Sequence, residues 1–175
     1  MTPAGRSEDI LSAQRERLLE VLRAVPAIGV VHERERWCAN EKAFRAAYTW
    51  KPSDDTPDEA LDAFLRKPHL RGWYVRRSQC SEGVQAGRVI AHQGWDIVGL
   101  LAFDDEVGSE VVFDALIERV REALRAAGGR LQLAQLVGDA PWTERGAQLE
   151  SQQPVIFAGL LCHRAQLGLK LRTIF

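Results

Sequence analysis

Residues 88–127 constrain the fold more than any other stretch, because they place a long strand, a tight acidic turn and an amphipathic helix in direct succession. From Arg88 to Phe103 one alternating face carries Val89, Ala91, Trp95, Ile97, Leu101 and Phe103, the period of a strand that packs one face inward. The opposite face carries Arg88, His92 and Asp96 before turning apolar at Val98 and Leu100, which predicts a second half covered on both sides. Asp104-Asp-Glu-Val-Gly-Ser109 turns the chain, with Ser109 placed as N-cap. Val112, Phe113, Leu116, Ile117, Val120 and Leu124 then recur at helical spacing, and Gly128-Gly129 supply a left-handed stop. Strand and helix are each one-sided and must cover each other. Trp95, Phe103, Ser109, Phe113, Leu116 and Ile117 are therefore the expected scaffold.

A chain of 175 residues is expected to form one domain, residues 1–175. It can bury roughly 70% of the surface its unfolded state exposes. Hydrophobic residues make up 46% and charged residues 27%, with a formal net charge of -1, so the basic excess of a bulk phosphate binder is missing. Cys38, Cys80 and Cys162 are odd in number and in no Cys-x-x-Cys pattern, which favours reduced thiols over a disulfide framework. The first residues lack the apolar core of a signal peptide, and no apolar run reaches membrane-spanning length. The expectation is a protein made and kept in soluble form.

Ser7 is placed to cap a first helix running to about Ala24, with Ile10, Leu11, Leu18, Val21 and Leu22 on one stripe. Ile28 to Trp37 alternates as a strand. Its charged half, Glu33-Arg-Glu-Arg36, is either a solvated edge that discourages stray pairing or a surface for a charged partner. Asn40 opens a short helix with Phe44, Ala47 and Tyr48 on one face. Residues 51–71 read as a surface insertion, in which Thr56, Pro57 and Glu59 form a helix-start signal. Gly72 to Arg77 is a strand, Ser78 to Gly87 a polar turn, and the segment from Arg88 its hairpin partner. Leu131 and Leu133, with Leu136 and Val137, mark another strand. Gly138 to Gln153 is the longest polar segment, expected to be a loop whose Trp142 either makes a contact or tucks back on the core. Pro154 to Phe175 alternates Leu161, Ala165, Leu167, Leu169 and Leu171 with Cys162, Arg164, Gln166, Lys170 and Arg172, a strand with one wet face. The apolar end either finishes the sheet or enters a neighbouring subunit. The class is α+β.

Chemistry-bearing patterns are few. His32, His69, His92 and His163 are dispersed, without His-x-x-x-His spacing or cysteine ligands, so no metal site is expected. Asp104, Asp105 and Glu106 lack calcium-loop spacing and read as acids ahead of a helix start. Ser109 has no Gly-x-Ser-x-Gly setting, and no phosphate-binding glycine loop occurs, so neither a catalytic residue nor a cofactor is expected. Arg34, Arg36, Arg76, Arg77 and Arg88 are interleaved with Glu33, Glu35 and Glu82, which favours a solvated or subunit-bridging charge network over a nucleic-acid surface.

After the amphipathic N-terminal helix come Val30-Val-His-Glu-Arg-Glu-Arg-Trp37, Gly72-Trp-Tyr-Val75, Gly94-Trp-Asp-Ile97, Gly108-Ser-Glu-Val-Val-Phe-Asp-Ala-Leu-Ile117 and Leu160-Leu-Cys-His-Arg-Ala-Gln-Leu167. This series resembles the tail terminator, or tail completion, proteins of long-tailed bacteriophages, in the branch associated with Mu-like phages; the segment 51–71 fits that pattern poorly. The resemblance implies a non-enzymatic α+β subunit, a single domain with amphipathic helices packed on one face of a mostly antiparallel sheet. It implies assembly as a homohexameric ring on the head-proximal end of the tail tube, in the virion, after assembly in the host bacterial cytoplasm. Its partners would be the tail tube protein and the head-to-tail connector, with DNA passing through the lumen without sequence-specific binding and no membrane involved. On that reading Glu33, Arg34, Glu35 and Arg36 are the expected inter-subunit rim. Gln79, Glu82 and Gln85 in one loop and Trp142, Glu144 and Arg145 in the other are the expected docking residues. Two alternatives stand beside it: a connector ring of the phage neck, and a small enzyme or ligand-binding domain using His92 and His163.

Overall fold

The computed structural model describes residues 7–52, 67–127, 135–136 and 146–174. Its centre is β4 (Arg88–Ala102), hydrogen-bonded antiparallel to β3 (His69–Gln85) on one side and to β7 (Leu160–Ile174) on the other. Outside β3, β1 (Val30–His32) pairs in parallel with Gly72–Tyr74, and β2 (Thr49–Trp50) pairs antiparallel with Leu70 and His69. Outside β7 lie β6 (Gln148–Phe157) and the short β5 (Gln135–Leu136). The sheet is mostly antiparallel and the fold is α+β, as expected.

The two long helices, α1 (Ser7–Arg23) and α3 (Ser109–Ala126), cover one face. Leu18, Leu19 and Leu22 of α1 and Val112, Phe113, Leu116, Ile117, Val120 and Leu124 of α3 close over Trp73, Val75, Trp95, Ile97, Leu101, Ala165, Leu167, Leu169 and Leu171. Burying one such aliphatic side chain is worth about 1.5–3 kcal/mol, so this layer supplies most of the stabilisation. The short α2 (Glu41–Tyr48) departs from the expected one-sided arrangement and sits on the opposite face, where Phe44 and Tyr48 pack with Tyr74, Val98, Leu100 and Cys162. Asn40 starts it as predicted, its Oδ1 accepting from the Ala43 amide at 2.9 Å. The second half of β4 is therefore buried on both faces, as the apolar turn at Val98 and Leu100 predicts.

Several boundaries differ from expectation. The strand predicted over Ile28–Trp37 is only Val30–His32. Beyond it the chain bonds to α2 and not to a ladder: the Arg36 amide donates to the Tyr48 hydroxyl, and His32 Nε2 lies 2.9 Å from the Ala47 carbonyl. Ser109 is not the N-cap; it is the first helical residue, behind a left-handed Gly108. The predicted turn Ser78–Gly87 is strand almost throughout, because the reversal needs only Ala86 and Gly87, both at positive φ. Similarly, the last segment is two strands joined at Ala158 and Gly159, also at positive φ, so residues 148–153 leave the predicted loop and join β6. Cys162, placed on the wet face, is buried under α2. The insertion predicted over residues 51–71 ends earlier, since His69, Leu70 and Arg71 belong to β3. The Thr56 helix start, Leu131, Leu133, Val137, Trp142, Glu144, Arg145 and the Gly128-Gly129 stop lie outside the described residues.

Trp73 and Gly99 face each other across the β3–β4 ladder, and a Cβ at Gly99 would lie 2.6 Å from the indole. Overpacking of this kind costs about 1–3 kcal/mol. Gly99→Ala is expected to lower the thermal midpoint by about 3–10 °C, whereas Gly83→Ala, which meets nothing within 4 Å, leaves it nearly unchanged. Circular dichroism melts of the two variants check this.

Candidate functional site

Two of the long strands, β3 and β6, each present an extended free edge among the described residues. On β3 the outer side is occupied at His69–Leu70 by β2 and at Gly72–Tyr74 by β1, after which Arg76 to Gln85 are exposed and carry no outer partner. Gln79, Glu82 and Gln85 thus lie on an edge, opposite Gly94, Ala91 and Arg88 of β4, and not in a loop. Val84 near the tip is 76% exposed. The second edge is β6, which pairs only with β7. Each edge carries a register irregularity, at Arg77/Gln79 on β3 and at Leu149/Ser151 on β6.

The β6 edge runs into an apolar corner. Ile156, 77% exposed, pairs with the exposed Leu161, whose carbonyl accepts from the Phe103 amide. Gln152 of β6 bonds to Asp114 of α3, which sets the start of that helix, with exposed Val107 and Val111, beside the same end of the sheet. Phe103 is consequently part of this corner and not an interior scaffold residue. Trp95, Phe113, Leu116 and Ile117 are buried as predicted.

Of the predicted charged rim, Glu33, Arg34 and Arg36 are exposed, but Glu35 is engaged within its own subunit. It lies 3.9 Å from Arg76, which also donates to the buried Asp96 at 3.0 Å. Burial, with the Glu35 charge adding to it, pushes the Tyr74 hydroxyl up to about 12. Sequence reasoning passed over Trp37, which is 87% exposed at the end of this run. An aromatic residue closing a charged stretch was the available signal. Ile156 gave none, because it lies in an unbroken Val-Ile-Phe run.

The two histidines considered for catalysis do not meet. His92 pairs with Arg172 and His163 with Leu101, nine ladder positions apart on opposite faces, about 30 Å at strand rise. His163 is instead buried against α3: Ser109 Oγ lies 2.8 Å from its Nε2, and the ring stacks on Phe103 at 4.7 Å. The same hydroxyl accepts from the Asp104 amide at 2.8 Å, so it ties the acidic turn to β7. Ser109 is buried with it, which suits a structural clasp and leaves the hydroxyl no approach for a substrate.

Among the described residues no group of three or more His, Cys, Asp or Glu side chains is placed to hold a metal, and no helix is long and apolar enough to cross a membrane. No protein-family model and no curated protein matches the chain.

Burial lowers the pKa of His32, His69 and His163 below the ordinary 6.5, with nearby Glu110 and Asp114 partly restoring that of His163. The unfolded chain therefore takes up protons first on acidification. The stability contributed by these neutral imidazoles is complete above pH 6.5 and is lost as pH falls below it towards the folded values. Urea midpoints at pH 7.5, 6.5 and 5.5 are expected to fall across the last interval, and to fall less in His163→Gln.

Proposed function

We propose that this chain is a structural virion protein: a ring-forming subunit that caps the head-proximal end of a phage tail tube, stops its polymerisation and presents a docking surface to the head connector. The family assignment rests on the motif series running from Val30 to Leu167. The observation that carries assembly is the pair of unlike free edges on one sheet. A ring requires a heterologous interface, in which one patch meets a different patch on the neighbour. Beyond their irregularities, β3 and β6 each offer an unbroken stretch of seven residues, Gln79–Gln85 and Ser151–Phe157. Strand addition between such edges satisfies backbone donors and acceptors that a monomer leaves to water. Glu33, Arg34, Arg36 and Trp37 then form a polar and aromatic rim beside the β1 end.

Val84→Lys combined with Ile156→Lys is expected to leave the circular dichroism spectrum unchanged and to weaken self-association at least about tenfold, since each lysine would bury an unpaired charge in the contact. Light scattering and negative-stain microscopy read this directly. In complementation, particles lacking the protein should carry overlong tails. Normal-length tails beside unattached heads would favour the connector role, and a wild-type chain that stays monomeric with tubes present would end the ring reading.

A further inference from the structure

We propose that Arg71 anchors a carboxylate-binding site at the end of the sheet closed by the β2–β3 pairing. Arg71 is 0% exposed, and its Nε, Nη1 and Nη2 have no hydrogen-bond partner among the described residues. A desolvated guanidinium without a partner is among the most costly arrangements a fold can keep. Among the described residues the charged neighbour that moves its pKa is another cation, Arg119, and the two effects, burial first, push it down to about 9. It is therefore still a cation at neutral pH.

The site has a definite shape. The Arg71 stem passes beneath Gly29, where a Cβ would lie 2.7 Å from Arg71 Cγ, and Gly29 holds a φ of +98° that side chains rarely adopt. The Trp50 ring covers the guanidinium, with Cζ 5.1 Å from its centroid. With that face taken, a ligand must meet the in-plane N–H edge. A planar carboxylate fits that edge with two parallel hydrogen bonds, and its single charge matches the single buried cation. Trp50 is only partly buried and is the element that must yield for exchange. The carboxylate has two sources, a dissolved small acid or an acidic side chain of a second copy.

The test is thermal unfolding of the full chain at pH 7.5 and constant ionic strength, in sodium acetate, sodium phosphate or sodium chloride, with Trp emission recorded in parallel. Acetate at a hundredfold excess over its Kd is expected to raise the midpoint by about 5–10 °C relative to chloride. Arg71→Met should lose that response and Arg71→Lys, which keeps the charge without the fork, should retain only part of it. Light scattering across a dilution series separates the sources. An acetate shift in dilute monomer assigns a free acid, while a midpoint that rises with protein concentration, with acetate dissociating the subunits, assigns a second copy. No shift beyond chloride together with no concentration dependence, an equal shift in Arg71→Met, or a response to phosphate alone overturns the proposal; if Arg71→Met does not fold, Arg71→Lys and the wild-type responses decide it.

Discussion

The indole of Trp73 fills the space that a side chain at Gly99 would take, and it reaches Phe113 of α3 at a centroid separation of 6.2 Å. This contact sets the distance between sheet and helix layer. It works because β4 is hydrogen-bonded on both sides over this stretch, so Gly99 loses nothing by lacking a side chain and the strand cannot shift to relieve crowding. Trp95 on the same face donates to Gln14 of α1 at 3.3 Å, and Gln14 donates to Thr173 of β7 at 2.8 Å. Two indoles thus fasten both long helices to three adjacent strands, and the polar end of one is satisfied inside the core.

Fastening is concentrated where β4 is buried on both faces. Towards Ala102 the strand has α3 on one side and α2 on the other, whereas towards Arg88 the outer face is open at His92 and the neighbouring β3 is exposed from Arg76 onwards. Rigidity at one end and an unpartnered arm at the other belong to the same design. An arm presented for contact keeps its direction only if the strand beneath it cannot bend, and β4 continues without interruption from the packed half into the exposed one.

The central strand and helix were legible because their periods are unambiguous: Trp95, Ile97 and Leu101 alternate, and Phe113, Leu116, Ile117 and Val120 follow helical spacing. Ser78–Gly87 reads as a turn because glycine and polar residues resemble one, yet an edge exposed to water demands no apolar alternation and gives no strand signal. The alternation over Ile28–Trp37 overstates the strand for the opposite reason. Glu33 to Trp37 alternate well, but the Tyr48 hydroxyl, distant in sequence, takes the Arg36 amide. Ser109 illustrates a third case, in which a residue suited to capping is recruited by His163, 54 positions away. Arg71 was hidden within a polar segment, and no local pattern marks a cation that the fold will bury.

Free edges are hazardous for any sheet protein, so the way this chain treats them bears on what they are for. A monomer with no use for its edges shortens, covers or charges them throughout. Here each edge is broken once, at Ser78 on β3 and Glu150 on β6, and among the described residues is then left open with apolar residues, Val84 on one and Ile156 on the other. Pro154 removes one backbone donor from β6, which restricts the registers in which a partner strand can add. The irregularities increase local twist, so an added strand must match it. Such edges discourage indiscriminate pairing while retaining a stretch able to pair in few registers, and that selectivity is what the proposed ring would require.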